Sequence, residues 1–130
     1  MLVGVRVAVF MSISAVLVNG FTPMDYTFFA NLQQEFKLPE KGILSHIVHK
    51  DENVNVTLFG FAAGEELSAH SALTPAILYF LEGTAEVQLG DDKVSAQAGS
   101  FIHMPAMLPH GISAKSPVRM LLVQIKTGGH

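Results

Sequence analysis

The sequence predicts a single all-β domain folded as a sandwich or barrel, and three observations predict it. From Met24 onward, strand-like runs of four to eight residues recur about every ten positions, separated by glycine, proline and acidic turns. No stretch after Asn31 holds a helical period long enough for a βαβ unit. Hydrophobic residues make up 49% of the 130 and charged residues only 15%, a composition that can bury one core and does not suit a disordered chain.

The elements follow in order. Phe28 to Leu32, with the polar stretch that ends at Pro39-Glu40-Lys41-Gly42, reads as an edge element and a turn. Ile43 to His49 is a strand with Leu44, His46 and Val48 on one face, and Asp51-Glu52-Asn53 is the turn after it. Val54 to Phe61 alternates and forms the next strand; Ala62 to Glu66 turns the chain. Leu67 to Leu73, Pro75 to Leu81 and Thr84 to Leu89 continue the series, with Glu82-Gly83 as a turn and Gly90-Asp91-Asp92 as a hairpin. Lys93 to Gln97, Ser100 to Met104, Gly111 to Ala114 and Val118 to Lys126 complete it, around Ala98-Gly99, a Pro105–Pro109 corner and Ser116-Pro117.

Residues 1–23 stand apart as an apolar N-terminal extension, and residues 24–130 are expected to be the one domain. Arg6, an apolar run from Val7 to Val18 and small residues near Gly20 resemble a secretory signal; the alternative is an upstream start ahead of Met24. The run is marginal for spanning a bilayer, so no membrane is required. A cytoplasmic location is expected, with export as the alternative.

Charge and composition exclude several functions. The formal charge is −3, and the 8 Lys and Arg residues are scattered, so a phosphate-backbone partner is not expected. There is no cysteine, which removes disulfides, thiolate metal sites and thiol nucleophiles. Any metal has to be held by His, carboxylate or amide groups. The six histidines are His46, His49, His70, His103, His110 and His130, the last following Gly128-Gly129 at what reads as a frayed end.

Two segments carry the chemistry. In the first, Gly64 precedes His70 by five intervening residues, and Ala72, Ala76 and Gly83 follow. In the second, Gly99 precedes Pro105 by five, then come Met107, Pro109, His110 and Ala114. Each glycine opens a tight turn before a strand. Each strand then carries one histidine toward what would be the barrel interior, and two imidazoles meeting there begin a metal site.

These segments resemble the two motifs of the cupin superfamily, G-x5-H-x-H-x3,4-E-x6-G and G-x5-P-x-G-x2-H-x3-N. The 15 residues between Gly83 and Gly99 are similar to the short separation in small single-domain cupins, and the resemblance spans roughly Ile43 to Ile125. It implies a double-stranded β-helix, the jelly-roll barrel of RmlC-like proteins. It also implies a divalent transition metal (Fe, Mn, Ni or Zn) held by three His and one Glu. Here His70 and His110 match the first and last ligands, while Ala72 and Ala76 occupy the other two positions. Met107 stands at the second-motif glycine and Ala114 at the asparagine.

His103 is the first candidate to complete a site with His70 and His110, provided that the strand face it shares with Phe101 is inward; His46 is the second. Gln88, Gln124 and Glu86 are further oxygen donors whose facing the sequence leaves open. His49, Glu65 and Glu66 read as solvated groups, and Phe59, Phe61, Phe80, Phe101, Met104 and Met107 as packing. Three functions follow. One is a metal-dependent oxygenase or isomerase acting on a small organic substrate. Another is a non-catalytic barrel binding a small organic molecule through His70 and His110. The third is a scaffold homodimer paired through Met24 to Leu38, as relatives of this kind commonly pair.

Overall fold

The structure, a computed structural model, describes residues 25–126. The chain divides into two compact units, residues 1–36 and residues 37–130. The expectations for residues 1–23, Met24 and His130 fall outside the described residues.

In the first unit, the described part of the expected edge element forms no strand. Residues 25–31 are irregular, and Leu32–Gln34 is one turn of 3-10 helix. Asn31 sets this turn: it is extended (φ −152°, ψ 95°), and its side-chain oxygen accepts the Gln33 N–H at 3.1 Å. A polar cap beats weak strand propensity here.

The second unit is the expected all-β fold. Its strands are β1 (Ile43–Lys50), β2 (Val54–Phe61), β3 (Glu66–His70), β4 (Ala76–Glu82) and β5 (Ala85–Leu89), then β6 (Asp92–Ala96), β7 (Phe101–Met104), β8 (His110–Ala114) and β9 (Val118–Ile125). They form a five-stranded sheet in the order β1-β2-β9-β4-β7 and a four-stranded sheet in the order β3-β8-β5-β6. Every strand pair is antiparallel. After β2 the chain passes back and forth between the sheets, except for the β5–β6 hairpin within the smaller one, the winding of a jelly-roll barrel.

The inner faces supply the core. Phe61, Leu78, Phe80, Met104, Val118 and Met120 come from the larger sheet, and Ala85, Val87, Ala96, Ile112 and Ala114 from the smaller. Large residues on one sheet face small or β-branched ones on the other, so the layers interdigitate without large voids. The outer face of the smaller sheet is polar and charged instead: Glu66, Ser68, Glu86, Gln88, Lys93, Ser113 and Lys115 border an open groove there.

Candidate functional site

The site begins with an irregularity in β3. Its register against β8 runs Leu67 opposite Ile112, then His70 opposite His110. Three steps along β3 thus match two along β8, and Ser68-Ala69 form a bulge opposite Gly111. Strict alternation from Leu67, which lines the interior, would send His70 outward. The extra residue restores His70 to the inner face. Gly111 leaves room for the bulge: a Cβ there would press on the Ala69 N and the Leu67 O at 3.1 Å.

His110 reaches the same place by a turn. Pro105 C=O accepts the Leu108 N–H at 3.4 Å, and Met107 inside that turn has φ +73°, the backbone of a type II turn at the position where glycine is favoured. The Met107 N–H also donates to the Ala72 C=O at 2.7 Å, which ties the Pro105–Pro109 corner to the segment just after His70. Gly90 N–H donates to Pro109 C=O at 2.7 Å and fixes the corner's other side.

The two imidazole rings lie with centroids 4.5 Å apart and planes tilted by 54°. Each is anchored in the same way. His70 Nδ1 donates to Ser68 C=O at 2.9 Å, and His110 Nδ1 donates to Leu108 C=O at 2.9 Å. A carbonyl only accepts, so in each uncharged ring the proton sits on Nδ1 and Nε2 keeps its lone pair. His110 is half-buried, whereas His70 is exposed at the rim, so the pair stands at an open mouth of the barrel.

The pair divides two small cavities. One, of about 60 Å³, is lined by both histidines with Ala72, Thr74, Ala76, Met104, Leu122 and Gln124. The other, of about 90 Å³, is lined by both with Phe59, Leu67, Leu78, Ile112, Met120 and Leu122. The larger cavity's wall is mostly apolar, whereas the smaller's is mixed, with Thr74 and Gln124 lining it beside Ala72 and Ala76. Gln124 is thus the one oxygen donor, of the three left open by the sequence, that lines a cavity with the histidine pair.

His103 does not reach it. On β7, Ile102 pairs with Leu78 and Met104 with Ala76, the inward residues of β4. His103 pairs with Ile77 and Phe101 with Tyr79 on the other face; His103 is exposed and Phe101 is 63% exposed. The condition on which His103 was expected to join is not met, because that face is outward. His46 sits on β1 opposite Leu58 and lines neither cavity. His49 pairs with Asp51 at 2.7 Å. That hydrogen bond, with the N–H groups of Asn53 and Val54, holds the exposed Asp51 carboxyl at about 2, below the usual 3.8. Glu86 and Gln88 face the outer groove.

A resident divalent metal of the kind the resemblance implies does not fit these residues. Among the described residues no three His, Cys, Asp or Glu side chains gather to hold an ion. Two imidazoles and an amide offer too few donors, and no anionic one, for an ion that prefers four to six.

Comparison with known proteins agrees with the fold. No curated protein matches the chain. A conserved protein of unknown function from Streptococcus pyogenes has a similar solved structure, with TM-score 0.73 and 27% identity over 82% of this chain and 93% of that one. An RmlC-like cupin from Desulfovibrio desulfuricans is similar at TM-score 0.69 and 27% identity, over 78% of this chain and 98% of its own. A cupin superfamily protein from Desulfitobacterium hafniense, at TM-score 0.70 and 24% identity over 79% and 93%, shares the fold. The cupin domain family model matches residues 57–124, the span that holds both histidine segments, strands β3 to β8 whole and most of β2 and β9. With a double-stranded β-helix around a motif-placed histidine pair, this chain belongs to the cupin domain family.

Proposed function

We propose that this protein is a binding barrel whose recognition element is the His70–His110 pair, and that its ligand is a small, largely apolar organic molecule carrying a hydroxyl or N–H donor. The observation that carries the reading is the shared anchor. Both rings hold Nδ1 on a backbone carbonyl, so two Nε2 lone pairs are presented between two small cavities, the larger of them mostly apolar. Apolar walls supply affinity through burial, and the paired acceptors select a donor and its orientation. The cavities suit a ligand of a few heavy atoms, since about 10–15 Å³ of such volume holds one water.

Catalysis is the weaker reading. A carboxylate base is missing where Ala76 stands, and no other carboxylate lines either cavity. The reading it would rest on, a divalent ion on His70 and His110, draws support from the same Nε2 lone pairs and from nothing further. The test is mass spectrometry of tag-free protein under native conditions, with elemental analysis of the same sample. A His70→Ala/His110→Ala variant that folds and has lost a co-purifying organic molecule supports the binding barrel. The molecule retained in that variant contradicts it. Stoichiometric zinc, iron, manganese or nickel that vanishes in the variant replaces it with the metal-dependent reading.

A further inference from the structure

The smaller cavity has a polar side that the histidines do not supply. Gln124 and Thr74 line it. Asn55 stands beside Gln124: the two pair across β2 and β9, and residues directly opposite on one face have Cβ atoms about 5 Å apart. On its other side Gln124 pairs with Ala76 of β4, whose short side chain leaves the amide uncrowded. The Asn55 Oδ1 is buried, and it accepts no hydrogen bond among the described residues. A buried acceptor without a donor destabilises the fold, so it calls for a donor from outside the chain.

Charge is absent from the walls. No Lys, Arg, Asp or Glu lines either cavity. Lys50 is the cation of this row of the sheet, opposite Asn55, but it is exposed and lines neither cavity. With strands about 4.8 Å apart, it stands two strands, about 10 Å, from Gln124. An ionised ligand would lose its water here without meeting an opposite charge. A primary amide, in contrast, presents a donor and an acceptor side by side, and its full complement is a C=O with an N–H next to it. A ketone or an ether would use the donor alone and leave the acceptors of Gln124 and Asn55 unpaired.

We propose that the smaller cavity is an amide-recognition subsite, in which Gln124, with Asn55 and Thr74 beside it, pairs with the carboxamide or lactam edge of an uncharged ligand. The inference rests on the binding-barrel reading and adds the second group that the ligand carries. The histidines take its hydroxyl or N–H, the larger cavity takes its apolar part, and Gln124 reads the amide.

The experiment titrates tag-free protein with three probes of similar shape and follows backbone and side-chain signals by ¹H–¹⁵N NMR. α-Hydroxyisovaleramide carries the hydroxyl, an apolar branch and the amide. α-Hydroxyisovalerate replaces the amide by a carboxylate, and diisopropyl carbinol replaces it by an isopropyl group. The amide is expected to bind at least about tenfold more tightly than either of the others and to shift the side-chain NH₂ signals of Gln124 and Asn55. Gln124→Met keeps the length of the side chain and removes its polar groups. It should bring the amide down to the level of the carbinol and leave the carbinol no weaker, which also shows that the fold is intact. Equal binding of amide and carbinol by the wild-type protein overturns the proposal, as does an acid that binds as tightly as the amide or a preference that survives Gln124→Met. If the carbinol binds in a way that His70→Ala/His110→Ala removes, but the amide gains nothing over it, this inference falls and the binding barrel stands. If no probe binds by about 20 mM, or none depends on the histidines, both fall.

Discussion

The two ends of the barrel interior are built from the same strands and differ in how the inner face changes along each one. Along β8 it runs from Ala114 and Ile112, both buried, to half-buried His110. Along β9 it runs from Val118 and Met120, fully buried, to Leu122 and Gln124 at the smaller cavity. Along β4 it runs from Phe80 through Leu78 to Ala76. The closed end is filled by Phe61, Phe80, Val87 and Val118, none of which exposes any surface. At the mouth the large side chains give way to alanines, imidazoles and an amide, and cavities appear. The closed end supplies the stability that lets the mouth stay incompletely packed, a division expected when a site is grafted on a general scaffold.

The sharpest break in that comparison lies at the closed end. Gly83 has φ +90°, and a Cβ on it would lie 2.0 Å from the Pro117 carbonyl oxygen, with Pro117 C and Val118 Cα at 2.9 Å. Backbone atoms cannot step aside as a flexible side chain can. Gly83→Ala is expected to destabilise by about 4 kcal/mol in urea denaturation. Gly99 has nearly the same φ, +93°, with nothing within 4 Å of the place a Cβ would take. Gly99→Ala therefore carries backbone strain alone, about 1 kcal/mol. Equal costs at the two positions would contradict a tightly filled closed end.

A smaller effect of opposite sign is expected at the mouth. Met107 holds φ +73° with its side chain 57% exposed, so the strain there has little packing to offset it. Met107→Gly should stabilise by about 1 kcal/mol less the entropy glycine adds to the unfolded chain, a net gain of a few tenths. It should leave ligand binding unchanged; a loss of stability would show that Met107 makes a contact the geometry does not reveal.

The smallest effect lies outside both ends. Asp51 titrates at about 2 in the folded chain against 3.8 ordinarily, chiefly through its hydrogen bond with His49 and then through the N–H groups of Asn53 and Val54. A depressed carboxyl pKa stabilises the fold above the ordinary value, and that contribution is lost as pH falls from 3.8 to about 2. Because the group is fully exposed, the effect is small. Asp51→Asn should lower Tm by about one degree near neutral pH and by much less at pH 2. A difference that grows toward acid would reverse the sign and refute the assignment.

The strands were legible because their turns are marked by glycine, proline and acidic residues; β2 falls where the alternation of Val54 to Phe61 places it. The pairing of His70 with His110 was legible only through motif spacing. The bulge that makes it possible was not, since Ser68-Ala69 carries no glycine or proline to announce an extra residue. The facing of His103 was ambiguous for a different reason. Each face of the four-residue β7 carries a large apolar group, Phe101 beside His103 on one and Ile102 with Met104 on the other, so alternation alone could not say which is inward. The 3-10 turn after Asn31 was hidden because a single capping side chain decided it.

The central claim is that two inward imidazoles stand side by side, each with its proton held on Nδ1. Long-range ¹H–¹⁵N NMR of the uncharged rings reads the tautomer directly, and a nuclear Overhauser effect between the rings reads their proximity. Nδ1–H on both His70 and His110, with cross-peaks between their ring protons, is the expected result. Protons on Nε2, or two rings with no contact between them, would contradict the account at its root.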